Sequence, residues 1–438
     1  MKNYLKTYAA EVIFWALFGQ IAGAQSIFDF FGQAPGGWQE RQAPKAAGKA
    51  SDTYNIFWGA DYSLNFLNDE FSPTEGRFNS SGTIFRNILT PMAGFRLRQD
   101  GGIVHTLTAG IDIIRDMGAH PVSADDMAAE NTRLFRELTF YYGISARSGK
   151  TRINAYAGMF PRKIIGGDWP AAFFSDATVL SDRNLEGAAL KLSGRRWRLM
   201  GACDWNGSRA QGRRERFMLM SKGDFSFGTL LSAGYYMTGY HFASPEEFRD
   251  VADNILAEPY LRFDLARMTR LQELSVRLGY LQGLQRLRSV SGRFDAPRGG
   301  ELAVTARKWN AGISNSLFYG TSLMPYYDIP QPGGWPVYGS MLYPGDAMYK
   351  VHEDAATPWD RPGFYNRAEV FWQPRIPGPV KLRISALFHI TADSCSTLRL
   401  SGTTQKLTLT YNFRLNRTAG KTRVKEAQRS QIKDSKII

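Results

Sequence analysis

Lys406-Leu407-Thr408-Leu409-Thr410-Tyr411-Asn412-Phe413 stands near the end of a 438-residue chain. Leu407, Leu409, Tyr411 and Phe413 fall on one face of a strand, and Lys406, Thr408, Thr410 and Asn412 on the other. Strict period-two alternation gives one apolar and one polar surface. A half-buried strand of a soluble sheet has the same pattern. Recurrence of the pattern, and what separates the copies, decides between the two.

The pattern recurs almost without pause from Tyr54 onward. Ile56, Trp58, Ala60, Tyr62 and Leu64 oppose Asn55, Gly59, Asp61, Ser63 and Asn65. Leu107, Ala109, Ile111 and Ile113 oppose Thr106, Thr108, Gly110 and Asp112, and Leu274, Val276, Leu278 and Tyr280 oppose Glu273, Ser275, Arg277 and Gly279. About sixteen such segments of roughly 8–14 residues occur, the length a tilted membrane strand needs. Their connections alternate short and long. Short ones lie at 99–102, 148–150, 193–195, 225–228, 267–271, 309–311 and 375–378. The long ones include 163–184 and 320–363. A soluble sandwich has no reason for such regularity. The expected fold is all-β: a transmembrane antiparallel β-barrel of about 16 strands. Short turns belong on its periplasmic side and long loops on its extracellular side. Trp197 and Trp205 share a face eight residues apart. That is about 26 Å along the strand, or roughly 20 Å along the membrane normal, which suits paired aromatic girdles.

Composition agrees. The chain is 43% hydrophobic and 13% aromatic, with a mean hydropathy of −0.31, which disfavours a bundle of membrane helices. Lys2 and Lys6 precede an apolar run from Val12 to Ile21 and then Ala22-Gly23-Ala24. This reads as a signal peptide, 1–24, cleaved after Ala24. Residues 25–51 read as a periplasmic lead-in, 52–413 as the barrel and 414–438 as a basic periplasmic tail. Cys203 and Cys395 are too few for a disulfide framework or a zinc ribbon. The net charge of +14 is unevenly spread, and the tail contributes +6 of it, with eight Lys/Arg against Glu426 and Asp434. No nucleic-acid motif accompanies it, so no nucleic-acid partner is expected. A periplasmic partner or anionic lipid suits the tail better.

The 406–413 stretch resembles the terminal strand of a Gram-negative outer-membrane barrel, whose alternation ending in Phe serves as the assembly signal. Phe160-Pro161-Arg162 through Phe173-Phe174-Ser175-Asp176, and Asp346-Ala347-Met348-Tyr349 before Asn366-Arg367-Ala368-Glu369, are similar to porin-like barrels of the Bacteroidota type. They are distantly similar to alginate-export barrels. The resemblance is to a class. It implies an outer-membrane location, lipid and the barrel-assembly machinery as partners, passage of small hydrophilic solutes, and in some cases a homo-oligomer.

No catalytic constellation emerges. Of five histidines, His241 precedes Phe242-Ala243-Ser244 in an expected loop, and His352-Glu353-Asp354 lies in the longest loop. Neither forms a recognisable triad. Gly149-Lys150-Thr151 lacks the first glycine of a phosphate loop. The reading is therefore not an enzyme, with no cofactor and no metal. The expected lumen face is rich in charge, with a basic excess suited to anions. Mid-strand Arg262, Arg277, Arg307, Arg367 and Arg383 are the candidate pore-lining residues. Trp335, Tyr338 and Tyr343 in the longest loop, with Trp169 in 163–184, are the candidate constriction aromatics and a surface for sugar stacking. A diffusion channel for small hydrophilic solutes leads. A secretion or polysaccharide-export barrel and a lipid hydrolase are the rivals.

Overall fold

The computed structural model describes residues 53–71, 81–99, 102–117, 135–246, 248, 250–352, 357–393 and 398–419. The signal peptide, the lead-in, Glu353, Asp354, Cys395 and the tail beyond Ala419 lie outside these residues. Sixteen long strands form one closed antiparallel sheet. They are β1 (Thr53–Phe71), β2 (Gly82–Arg98), β3 (Val104–Asp116), β4 (Phe135–Ser148), β5 (Thr151–Pro161), β6 (Asn184–Ser193), β7 (Trp197–Gly207) and β8 (Arg216–Ser226). The series continues with β9 (Leu231–Ala243), β10 (Val251–Asp264), β11 (Glu273–Leu287), β12 (Arg298–Lys308) and β13 (Ala311–Gly320). After a long connection that carries the small hairpin β14 (Pro330–Gln331) and β15 (Trp335–Val337), β16 (Gly363–Trp372), β17 (Val380–Asp393) and β18 (Arg399–Ala419) complete the wall.

Closure is made by β1 and β18, which pair from Tyr54↔Ala419 to Phe71↔Gly402. The opening stretch lies in this seam. Leu409 stands between Leu64 and Leu382 on the outside. Thr408 stands between Asn65 and Arg383, and Thr410 between Ser63 and Lys381, on the inside. The barrel does not end at Phe413: β18 continues to Ala419, because β1 begins far enough back to pair with it. His241 also lies in β9 and not in a loop.

The outer face keeps the alternation all round. Ile56, Trp58, Leu138, Phe140, Ile313 and Val370 are among its exposed apolar side chains. Aromatic pairs mark both ends. Trp58 meets Phe413 at 5.9 Å and Phe225 meets Phe227 at 4.9 Å near the short turns. Trp205 stacks on Phe217 at 5.3 Å and Phe66 meets Phe85 at 5.7 Å near the long loops.

The inner face is divided. Along β4–β13 it buries a large apolar set, with Tyr141, Phe160, Leu185, Met220, Phe242, Leu281 and Phe318, beside polar positions such as Glu258, Arg277 and Arg307. Two inward loops cover these side chains. The first runs from a 3₁₀ turn (Arg162–Ile165) to α1 (Asp176–Ser181). The second carries α2 (Gly339–Leu342) and a 3₁₀ turn (Ala347–Lys350). Together they bring Ile164, Phe173, Met348, Tyr349 and others into one packed cluster with the wall. Burial of this kind stabilises by about 25 cal/mol per Å² of apolar surface. Along the β17–β18–β1 seam the inner face stays polar.

The β5–β6 wall bends to admit the first loop. Gly158 opposes Gly187 there with φ of 118°. A Cβ at Gly158 would sit 2.4 Å from the Phe140 carbonyl oxygen. Gly158→Val should therefore lower stability by at least about 2 kcal/mol, from strain and overpacking together. Urea unfolding followed by heat-modifiable gel migration measures this, and an unchanged midpoint would contradict it.

Candidate functional site

The site is the polar lane left between the first inward loop and the closing seam. One cavity of about 470 Å³ lies against β1, β17 and β18, with Ser63, Asn65, Lys381, Lys406, Thr408 and Asn412 on its wall. A second, of about 630 Å³, lies against β11–β17, with Glu273, Arg277, Thr305, Arg307 and Arg383 on its wall. Gly167 and Trp169 border both. The segment around them is therefore the partition between the two chambers.

Ion pairs fix that segment in place. Ser175 caps α1, its hydroxyl accepting from the Thr178 N–H at 3.1 Å. This cap turns Asp176 toward the wall, where Arg367 of β16 and Lys406 of β18 each reach it at 2.7 Å. At the other end of the loop, Arg162 pairs with Asp182 and with Asp204 of β7, the latter at 2.9 Å. Lys163 meets Asp61 of β1 at 2.7 Å, Arg183 meets Asp112 of β3 at 3.3 Å, and Asp168 is held by Lys222 of β8. The second loop locks onto the first through its backbone. Ser175 N–H donates to the Pro344 carbonyl at 2.8 Å, and Asp346 N–H to the Ala171 carbonyl at 2.8 Å. Removing one member of a buried pair costs about 3–5 kcal/mol, because the other charge is left uncompensated.

Trp169 packs against Phe173, Phe174 and Tyr236, with the Lys222 ammonium 5.1 Å from its ring. Of the aromatics singled out above, it alone borders the two cavities. Tyr338 and Tyr343 are buried in the packed half, donating to Asp250 and to Gln285 Oε1. Trp335 lies over the Arg214 guanidinium at 4.4 Å. These three line neither chamber. The five arginines all stand on inward positions, but mostly with partners. Arg277 bridges Glu258 and Glu301, Arg307 meets Glu273 at 3.2 Å, Arg367 holds Asp176, and Arg383 meets Glu369 at 2.9 Å. Arg262 and Lys381 are exposed and have no ion-pair partner among the described residues. Sequence reading missed Asp176 and Glu258. Asp176 lies in a loop, where periodicity assigns no face. Glu258 precedes Pro259, which masks the strand pattern.

The other chemical candidates are also placed. His241 stands on the outer wall, its Nδ1 3.5 Å from Asp253. His352 contacts the Arg361 carbonyl through Nε2 at 2.9 Å. No group of three or more metal-ligating side chains occurs among the described residues.

Asp176 gives the site a defined pH response. Enclosure in the barrel favours its neutral form, but the Lys406 and Arg367 charges outweigh that and hold the carboxyl well below the usual range. A depressed folded pKa contributes stability above the unfolded value, about 3.9, and loses it as pH falls toward the folded one. The effect of removing Asp176 should therefore be the same from about pH 8 to pH 5, where it remains ionised. Asp176→Asn should give noisier, larger openings over the same interval. A difference between wild type and Asp176→Asn that changes between pH 8 and pH 5 would contradict this anchor.

No family model and no curated protein matches the chain. Solved structures do. OccAB3 of Acinetobacter baumannii aligns over 83% of this chain and 99% of its own at 10% identity and a TM-score of 0.40. OmpT, an outer membrane protein of Vibrio cholerae, aligns over 83% and 100% at 8% identity and a TM-score of 0.47. The outer membrane channel DcaP of Acinetobacter baumannii aligns over 84% and 99% at 10% identity and a TM-score of 0.43. The closed ladder, the apolar exterior and the paired girdles carry the assignment themselves. The chain is a closed sixteen-stranded antiparallel β-barrel with the build of an outer-membrane barrel.

Proposed function

We propose that the barrel is a diffusion channel for small hydrophilic solutes, with a preference for anions. The observation that supports this most is the pair of polar chambers sharing Gly167 and Trp169. Their walls carry a basic excess. The first holds Arg162, Lys163, Arg183, Lys381 and Lys406 against Asp61 and Asp176. The second holds Arg277, Arg307 and Arg383 against Asp168 and Glu273. Fixed charge on a narrow aqueous path concentrates the opposite ion and repels the like one. Paired cations act more weakly than free ones, since each carboxylate partner cancels much of the field. Lys381, exposed and without an ion-pair partner among the described residues, is therefore the main determinant, with Arg383 beside it.

Trp169 sets the aperture. It is held by three aromatic neighbours, so it acts as a fixed edge and offers a ring face to the solute. This favours compact anions with an apolar or sugar face over hydrated cations. The lane offers binding and transit.

Planar-bilayer recording tests the proposal. Purified protein should conduct, and its reversal potential in a KCl gradient should report chloride preference. Lys381→Gln with Arg383→Gln should reduce that preference about two- to threefold. Trp169→Ala should raise single-channel conductance by about twofold. Folded protein that never conducts would sink the channel reading, and cation selectivity would sink the anion preference alone.

A further inference from the structure

Beneath the β14–β15 hairpin lies a positive charge with no acceptor among the described residues. Arg214, on the long-loop side just before β8, is only 7% exposed. Its Nε, Nη1 and Nη2 are all enclosed, and none has a hydrogen-bond partner among the described residues. Two rings lie against the guanidinium, Trp335 of β15 at 4.4 Å and Phe242 of β9 at 5.0 Å. Ring faces attract a cation but do not satisfy N–H groups that point out in its own plane. Burial pulls the Arg214 pKa down, and the attraction of Asp250 offsets this only in part. That carboxylate is already committed. It accepts from the Tyr338 hydroxyl and from the backbone N–H groups of Val251 at 2.9 Å and Ser289 at 3.2 Å. A second orphan belongs to the hairpin itself. Gln331, cross-strand from Trp335, is buried, and its Nε2 donates to the Val337 carbonyl at 3.0 Å. Its Oε1 has no donor among the described residues.

The cover over Arg214 is held at its base and free at its tip. Tyr338 N–H donates to the Ile329 carbonyl at 3.1 Å, and Gly339 N–H to the Tyr327 carbonyl at 2.9 Å. Among the described residues, no hydrogen bond ties 331–337 to the barrel wall. Ring contacts alone hold Trp335 over the guanidinium. Gly333 and Gly334, with φ of 77° and 74°, make the exposed turn, and Gly339, with φ of 46°, follows the hairpin. Glycines in this region take up backbone rotation at little steric cost, so the tip can swing outward. A buried donor without an acceptor is costly, and an anion that reaches Arg214 recovers that cost.

We infer that Arg214 and Gln331 form a binding site for an acidic sugar, covered by the β14–β15 hairpin. The sugar's carboxylate takes the guanidinium edge as a bidentate pair, and one of its hydroxyls donates to Gln331 Oε1. Trp335 and Phe242 offer ring faces to its C–H face. A planar carboxylate enters edge-on beside the two rings, where a tetrahedral phosphate is thicker than the guanidinium it must meet. Neither Arg214 nor Gln331 borders the two chambers of the lane. The site is therefore independent of the channel reading, and its binding is measurable whether or not the protein conducts.

Titration calorimetry of the detergent-purified full chain tests this with glucuronate, glucose, acetate and glucose 6-phosphate. Wild type should bind glucuronate at least about tenfold more tightly than the other three. Arg214→Met should abolish that binding and keep heat-modifiable migration, since an apolar side chain replaces a buried charge without an acceptor. Gln331→Leu should weaken glucuronate about fivefold, leave acetate unchanged, and decide the matter if the first variant does not fold. Trp335→Ala should strengthen acetate at least about threefold by uncovering the arginine. Lys381→Gln with Arg383→Gln, in the lane, should change glucuronate binding by less than about twofold. Wild type that does not bind glucuronate, or Arg214→Met that binds it undiminished, overturns the site. Loss of binding in the lane variant alone overturns it too. Glucose 6-phosphate bound as tightly as glucuronate overturns the carboxylate assignment, and acetate binding unmoved by Trp335→Ala overturns the cover.

Discussion

Everything in this molecule depends on one constraint: a sheet edge cannot stand unpaired in hydrocarbon. Each exposed backbone group there costs several kcal/mol, so the sheet must close. The β1–β18 ladder meets that need over its whole length, from Tyr54↔Ala419 to Phe71↔Gly402. Its consequences reach both faces. Outside, the seam carries Leu64, Leu409 and Leu382 to lipid; inside, it carries Ser63, Thr410 and Lys381 to water. The strands that close the barrel are therefore also the polar wall of the lane.

A closed barrel of sixteen strands has more interior than one narrow lane needs. The chain fills the excess with its own loops. On the β4–β13 side, apolar inward side chains and the two loops form a core like that of a soluble protein. On the seam side, the described residues form no such covering, and the loop faces the wall through charges. The two halves use different physics. Burial holds the loops down on one side, without direction; ion pairs such as Arg367–Asp176 and Arg162–Asp204 fix their position on the other. Packing alone would leave the partition free to slide; directional bonds give the lane a set width.

Many of the charged side chains in the lumen are paired, some with the loops and some across neighbouring strands of the wall. Arg277 between Glu258 and Glu301, or Arg367 on Asp176, is a strut first and a source of field second. On the proposed path, the field comes from the less compensated groups, Lys381 foremost. Counting lumen arginines thus overstates the charge of the path, and the partners set how much remains. Outside, Asp253 likewise pairs with both Arg286 and Arg288.

The sequence by itself determined the barrel. Alternation at Ile56–Leu64, Leu107–Ile113 and 406–413 is a local property, fixed by the two-residue period of a strand and by the solvent on each side. Alternating connection lengths then gave the strand number and the orientation. It also placed Arg277, Arg307, Arg367 and Arg383 on the inner face, for the same reason. What only the tertiary structure decided is what those side chains meet. Asp176 reaches Arg367 across 191 residues of chain and Lys406 further on still, a pairing that no periodicity encodes. Trp335, Tyr338 and Tyr343 share a loop with the residues that lock onto 171–175, yet they pack away from the lane, while Trp169 forms its edge. A loop has no repeating geometry from which a face can be read, so its contacts are set by the walls it folds against.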